Sequence, residues 1–359
     1  VDLDAAQAAG IADAARRSEL LDFLDSRGFS LAEMVEAEQN GRLFALAGDA
    51  VLRSGPPVHS LRDAAASLNL PVAEVAHAWS ALGLTADDVD QRLLSDADIE
   101  GLRTWSFLRH GIGEEIASGL LRVLGASMAR LAEAESAAIR AGAPDIQLNY
   151  TEDEARTAKA FAEVAQLVPR LGQMMDAVHR QHLQSTRTYF EQVSRDASSS
   201  VTVGVGFADL SGFTALTERL TLAELSGVLS TFGTSAAEVV HDHGGRLVKL
   251  LGDAVMWVNA DPDKLAEVAL HLVRHPVAAS AGIHVRAGLA YGSVLALDGD
   301  YFGSPVNLAA RLVAAAEPGQ ILAPSSVVDH LTGWLHEPLA PVSLRGFDNP
   351  VVPYALRPA

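Results

Sequence analysis

The sequence predicts an α+β protein: an all-helical N-terminal half, then a ferredoxin-like domain in which helices pack on a mixed or antiparallel sheet. Three observations carry this expectation. The 359 residues exceed what one core usually holds, so two domains are expected. Residues 1 to about 150 are rich in Ala and Leu and almost lack strand-like alternation. From 201 the order becomes strand, helix, strand, strand, helix, strand, which suits a sheet with helices on one face.

In the helical half, turn signals such as "SRGFS" and "SGPPVHS" separate the helices. The stretch "HSLRDAAASLNLPVAEVAHAWSALGL" (59–84) predicts helix, turn, helix. Its spacing resembles a small DNA-binding unit, but an ordinary helical hairpin is the reading expected. Its second helix is acidic and apolar, where a base-reading helix needs Arg, Asn or Gln.

Between 154 and 195 the residues Phe161, Val164, Val168, Leu171, Met175, Val178 and His182 follow a three-four spacing. That spacing is the seam of a coiled coil or of a helix docked in a groove. Pro169 interrupts it, so one straight helix is not expected. "SRDASSS" (194–200) is small and polar, as a linker should be. The predicted organisation is a helical domain over 1–153, linker helices over 154–199 and a sheet-containing domain over 200–359.

Each later element has its own signal. "VTVGVGFADL" is β-branched and predicts a strand. "TLAELSGVLSTFGTSAAEVVHDHGG" is an amphipathic helix stopped by glycines. "RLVKLLGDAVMWV" predicts a hairpin about Gly-Asp. "PDKLAEVALHLVRH" predicts a helix and "HVRAGLAYGSVLAL" another strand.

Composition narrows the function classes. The chain is 49% hydrophobic and 20% charged, as a soluble globular protein is, and no apolar run approaches the roughly 20 residues that span a bilayer. Its first residues are acidic and lack a basic-then-apolar signal pattern. There is no cysteine, which removes disulfides and thiolate chemistry and fits a cytoplasmic protein. A net charge of −18 argues against binding along a nucleic-acid backbone.

"FADLSGFT" (207–214) brings Asp209 to the end of a core strand, and the Gly-Asp turn offers Asp253 beside it. Two adjacent carboxylates need a shared proton, a basic partner or a metal. With open positions they suit Mg²⁺ or Mn²⁺ and a polyphosphate. The same two residues also suit caps on turn amides.

Three motifs in order, "FADLSGFT", "RLVKLLGDAVMWV" and "DYFGSPVNLAARL" (300–312), resemble the catalytic domain of class III nucleotidyl cyclases. The likeness covers roughly 201 to 359. It implies a homodimer with two shared sites, two divalent metal ions and an ATP substrate. Asp209 and Asp253 match the metal-binding aspartates. Lys249 and Asp300 match the pair that selects adenine, Lys donating to a ring nitrogen and Asp accepting from the exocyclic amine. Asn307 matches the residue that orients the ribose, and Arg311 the arginine facing the α-phosphate. Spacing of four puts Asn307 and Arg311 on one helix face. Arg345, in "LRGF", falls near the family's basic residue for the terminal phosphates. The implied activity is conversion of ATP to 3′,5′-cyclic AMP and pyrophosphate.

The arrangement of the whole chain resembles soluble actinobacterial cyclases whose helical domain is autoinhibitory and responds to pH. Histidine titrates near neutrality. His182 on the predicted seam and His179 beside it are the expected sensors, with His241 and His243 as competitors. A cluster of small apolar helices would also admit a lipid or other hydrophobic ligand. Two other classes stand beside the cyclase: a nucleotide-sensing DNA-binding regulator and a degenerate cyclase fold used for interaction. All six catalytic positions are filled, which disfavours both.

Overall fold

The computed structural model describes residues 1–193, 200–213, 217–275 and 283–359. The expected linker "SRDASSS" falls outside the described residues except for Ser200, and so does Thr214 of "FADLSGFT". The chain divides into two compact units, Val1–His182 and Leu183–Ala359.

The first unit is helical. Its helices are α1 (Leu3–Ala9), α2 (Ser18–Ser26), α3 (Leu31–Gln39), α4 (Leu46–Leu52), α5 (Leu61–Leu68), α6 (Val72–Ala81), α7 (Asp96–Ile112), α8 (Glu114–Gly142), α9 (Leu148–Thr151), α10 (Glu154–Ala165) and the start of α11 (Val168–Val193). Capping boxes begin α3, α5 and α7, with Ser30, Ser60 and Ser95 each bonded to the acidic residue three positions on. Two cores form. One gathers Leu20, Leu21, Leu24, Met34 and Leu43 with Ala158 and Ala162 of α10. The other gathers Leu61, Val75, Trp79, Leu102, Trp105 and Leu121. The 59–84 stretch is the pair α5 and α6, and α6 spends Val75, Ala78 and Trp79 on that second core.

The helix break near Pro169 comes slightly earlier than expected. α10 ends at Ala165, Gln166 and Leu167 form a turn, and Pro169 is the second residue of α11. There its missing N–H costs no hydrogen bond. The seam fades along α11: Phe161 to Met175 are half-buried, whereas Val178, His179 and His182 are exposed.

The second unit carries the sheet. Its strands are β1 (Ser200–Ser211), β2 (Arg246–Leu251), β3 (Ala254–Asn259), β4 (His284–Leu297), β5 (Asp300–Phe302), β6 (Ile321–Ala323), β7 (Trp334–Pro338) and β8 (Tyr354–Pro358). Its helices are α12 (Leu222–Asp242), α13 (Pro262–Val273), α14 (Ser304–Ala315) and α15 (Ser325–Val328). The strands follow the order β2-β3-β1-β4-β6-β8-β7, with β5 paired to β4. Pairing is antiparallel except between β4 and β6. The mixed sheet matches the predicted α+β class, but helices cover both of its faces rather than one, α12 and α13 on one side and α14 on the other.

Alternation along β1 sorts the two faces of the sheet. Ala208 and Leu210 join Trp257, Leu265, Val268 and Leu289 beneath α12 and α13. Val201, Val203, Val205 and Phe207 join Met256, Val258, Ala290, Ala309 and Val313 on the other face. Each large side chain fully buried here contributes about 1.5–3 kcal/mol. α14 lies close on that second face because Gly288 has no side chain: a Cβ there would stand 2.2 Å from the Val313 amide nitrogen.

Candidate active site

Asp209 is two positions beyond Phe207 on β1, so it shares the face that carries α14. It pairs in register with Ala254 on one side and Arg286 on the other. Asp253 occupies the two-residue turn between β2 and β3. Gly252 precedes it with φ +67°, a left-handed position that a tight hairpin needs and glycine adopts freely. The Leu210 amide donates to the Asp253 carbonyl oxygen at 3.2 Å, tying the turn to the strand end. Asp209 and Asp253 thus meet, as their positions in the sequence predicted. Burial, and then the Asp209 carboxylate, hold the Asp253 carboxyl above the usual range, while Arg286 pulls more weakly the other way.

Arg286 was not foreseen. Its Nη2 and Nε donate to Asp209 Oδ2 at 2.7 and 3.2 Å, and its Nη1 donates to the carbonyl oxygens of Ala314 and Ala316 at 3.2 and 3.3 Å. The C-terminal end of α14, negative by its dipole, therefore holds a guanidinium against the carboxylate pair. The available signal was a lone charge inside the apolar run "HVRAGLAYGSVLAL".

Lys249 and Asp300 come together as an ion pair, Nζ donating to Oδ2. Lys249 reaches its face through a bulge. The β2–β3 register slips between Leu247 and Lys249, so Lys249 opposite Met256 lies on the same face as Arg246 opposite Val258. Asp300 begins β5 just after Asp298 and Gly299, both at positive φ, the form of a type I′ hairpin turn. The Tyr301 amide donates to Asp300 Oδ1 at 2.8 Å and fixes the carboxylate orientation.

Asn307 and Arg311 lie one turn apart on α14 and are both exposed. Arg311 makes no ion pair with any described residue. Among the described residues no hydrogen bond or ion pair joins three groups to one another: the Asp209–Asp253 pair, the Lys249–Asp300 pair, and Asn307 with Arg311. Arg345 is exposed in the connection between β7 and β8, at the sheet edge opposite β2 and β3. His241 and His243 close α12. His243 Nδ1 lies 2.8 Å from the Val239 carbonyl oxygen, and its ring lies 4.8 Å from that of His271, tilted by 59°.

The donor set of Asp209 and Asp253 is two hard oxygen ligands with raised mutual repulsion, which fits a divalent cation bound alongside phosphate oxygens. Among the described residues no group of three or more His, Asp or Glu side chains gathers, so such an ion would complete its coordination with water or substrate. Among those residues, too, no helix is long and apolar enough to cross a membrane.

Two family models match the chain: an adenylate cyclase regulatory domain over residues 3–186, and an adenylate and guanylate cyclase catalytic domain over 196–357. An uncharacterized protein of Mycobacterium tuberculosis is 56% identical over 99% of this chain and 94% of its own length. An adenylate cyclase of Streptomyces coelicolor is 31% identical over 84% of this chain and 80% of its own. A pH-sensitive adenylate cyclase of Mycobacterium tuberculosis is 31% identical over 70% of this chain and 64% of its own. An adenylyl cyclase structure from P. aeruginosa superposes with a TM-score of 0.41 at 23% identity, covering 45% of this chain and 95% of that one. The chain belongs to the adenylate cyclase family, with that family's regulatory domain ahead of its catalytic domain.

Proposed function

We propose that the chain converts ATP to 3′,5′-cyclic AMP and pyrophosphate in a site shared by two copies of itself. The observation that carries this reading is that one unit holds both an assembled Lys249–Asp300 pair and an Asp209–Asp253 pair. A lysine donor and a carboxylate acceptor held together match adenine, which offers a ring acceptor and an amine donor. Guanine reverses both, leaving polar groups unpaired, and such mismatches discriminate strongly.

Asp209 and Asp253 would hold one or two divalent ions, Mg²⁺ or Mn²⁺. Once bound, these supply positive charge to the phosphates and acidify the ribose 3′-hydroxyl. The 3′-oxygen forms a bond to the α-phosphorus, the bond to pyrophosphate breaks, and the hydroxyl proton passes to water. Arg286 balances Asp209 until substrate arrives. Asn307 orients the ribose. Arg311 stabilises charge that builds on the α-phosphate, and losing such a donor typically costs about 100- to 1,000-fold in rate. Arg345 has the charge for the terminal phosphates. The exposure of Asn307 and Arg311, with no described partner for Arg311, supports their use by a second chain.

The helical half would regulate this activity, restraining it in response to pH; one relative is named pH-sensitive. The deciding experiment measures cyclic nucleotide made by the full chain from ATP and from GTP, with Mn²⁺ or Mg²⁺. Cyclic AMP in large excess, abolished by Asp209→Ala, is expected. Cyclic GMP synthesis as the main activity would overturn the roles of Lys249 and Asp300.

A further inference from the structure

We propose that the last two turns of α11 position the Lys249–Asp300 pair, so that Thr186 and Tyr189, in the helix preceding the sheet, set nucleotide selectivity. This inference rests on the base-selecting reading of that pair.

Lys249 and Asp300 sit on two different strands, and each has a neighbour gripped by α11. On β2 the neighbour is Arg246. Its Nη2 donates to Thr186 Oγ1 at 2.9 Å, and its guanidinium lies 5.2 Å from the centre of the Tyr189 ring. The bulge in β2 puts Arg246 and Lys249 on the same face, three residues apart. On β5 the neighbour is Tyr301, whose amide bonds the Asp300 carboxylate. Tyr189 and Tyr301 are both buried in one cluster with Val201, Val294 and Ala309.

The chemistry of Tyr189 separates positioning from hydrogen bonding. Burial, joined by the neighbouring Tyr301 phenol, pushes its hydroxyl well above the usual range, so it stays neutral. Its hydroxyl faces the Tyr301 phenol without reaching good hydrogen-bond geometry, and it is the ring, not the oxygen, that meets Arg246. Phe190 meets that ring edge-on at 5.8 Å and fixes its plane. A cation held over a ring and a hydroxyl together define one place for Arg246. If α11 shifts by a fraction of a turn, both strands that carry the pair are released at once. The spacing between the ammonium and the carboxylate then changes, and that spacing is what discriminates adenine from guanine.

The test uses the full chain with Mn²⁺ and reads the ratio of kcat/KM for ATP to that for GTP, with melting temperature beside it. Tyr189→Leu and Arg246→Gln are expected to lower the ratio by about fivefold or more, mainly through KM for ATP, since small misplacements of a recognition group are costly. Tyr189→Phe keeps the ring and is expected to retain the wild-type ratio. If Tyr189→Leu unfolds the chain, Thr186→Val removes a single hydrogen bond and is expected to shift the ratio in the same direction. Equal losses for ATP and GTP, with the ratio unchanged, would mean that α11 only packs and would overturn the proposal. Lys249→Ala and Asp300→Ala are the controls. If these leave the ratio unchanged, the base-selecting reading itself fails and the positioning role falls with it. If these move it while the α11 variants do not, only the positioning role fails.

Discussion

Arg286 and Asp209 face each other across the β1–β4 pair, joined by two donors to one carboxylate oxygen, the nearer at 2.7 Å. The carboxylate is also next to Asp253, so the guanidinium offsets part of a like-charge conflict. Both side chains are mostly buried, 27% and 19% exposed, so water cannot replace the partner cheaply. Arg286→Gln should therefore destabilise the metal-free chain by about 1–3 kcal/mol, less than a fully enclosed pair would lose. A divalent cation supplies the missing charge. Mn²⁺ should thus raise the melting temperature of Arg286→Gln by more than it raises that of the wild type. Equal shifts would mean that Arg286 does not screen this pair.

The Asp253 carboxyl carries a pH signature with a definite sign. Burial and Asp209 raise it, so folding favours its protonated form. The resulting penalty is absent below the ordinary carboxyl range, about pH 4, and grows as pH rises through the raised value. In EDTA, Asp253→Asn should melt higher than wild type at pH 7, and the gap should close as pH falls toward 4. The same variant should lose metal-dependent activity. A neutral-pH melting temperature below that of wild type would show that the ionised carboxylate is favourable there.

Much of this site was legible because its residues lie in short local patterns. A strand end followed by Gly212 marks Asp209 and a Gly-Asp hairpin marks Asp253, and the β1–β3 pairing then brings the two together. Spacing of four puts Asn307 and Arg311 on one helix face. Arg286 was not legible, because its meaning depends on register: a one-residue slip between β1 and β4 would send it to the opposite face. The bulge beside Val248 is equally silent in the sequence, yet it decides which way Lys249 points. The three-four spacing from Phe161 to His182 runs across the break between α10 and α11 and does not include Thr186 or Tyr189. Spacing says which side chains align, not what covers them, and at Val178 and His182 nothing described does so.

Exposure of His179 and His182 gives the proposed pH response a sharp test. Both are exposed, so either residue can act as a sensor only where its charge meets another surface. Nearby on α11, Arg180 already pairs with Asp176 at 2.9 Å, so that carboxylate is engaged. With His182→Leu and His179→Leu in the full chain, the activity profile between about pH 5 and 8 should flatten for the residue that senses. Wild-type profiles in both single variants and in the double variant would remove α11 as the sensor and direct attention to His243 and His271.

The shared-site reading makes a prediction that no single-chain reading makes. Asp209 and Asp253 are tied to Arg286 and to the β2–β3 turn, whereas Arg311 projects from α14 with no ion pair among the described residues. If a catalytic site takes its carboxylates from one copy and Arg311 from the other, each homodimer of a single variant has two damaged sites. An Asp209→Ala chain and an Arg311→Ala chain should each lose about 100-fold or more in rate. When the two are mixed under exchanging conditions, a heterodimer forms in which one site carries both defects and the other carries none. Random exchange puts about half of all dimers in that form, each with one of two sites intact, so recovery should approach about one quarter of wild-type activity. The measurement is cyclic AMP production against mixing ratio, which should peak at equal amounts and vanish toward either end. Activity that only averages the two parents would mean that each chain builds its site alone.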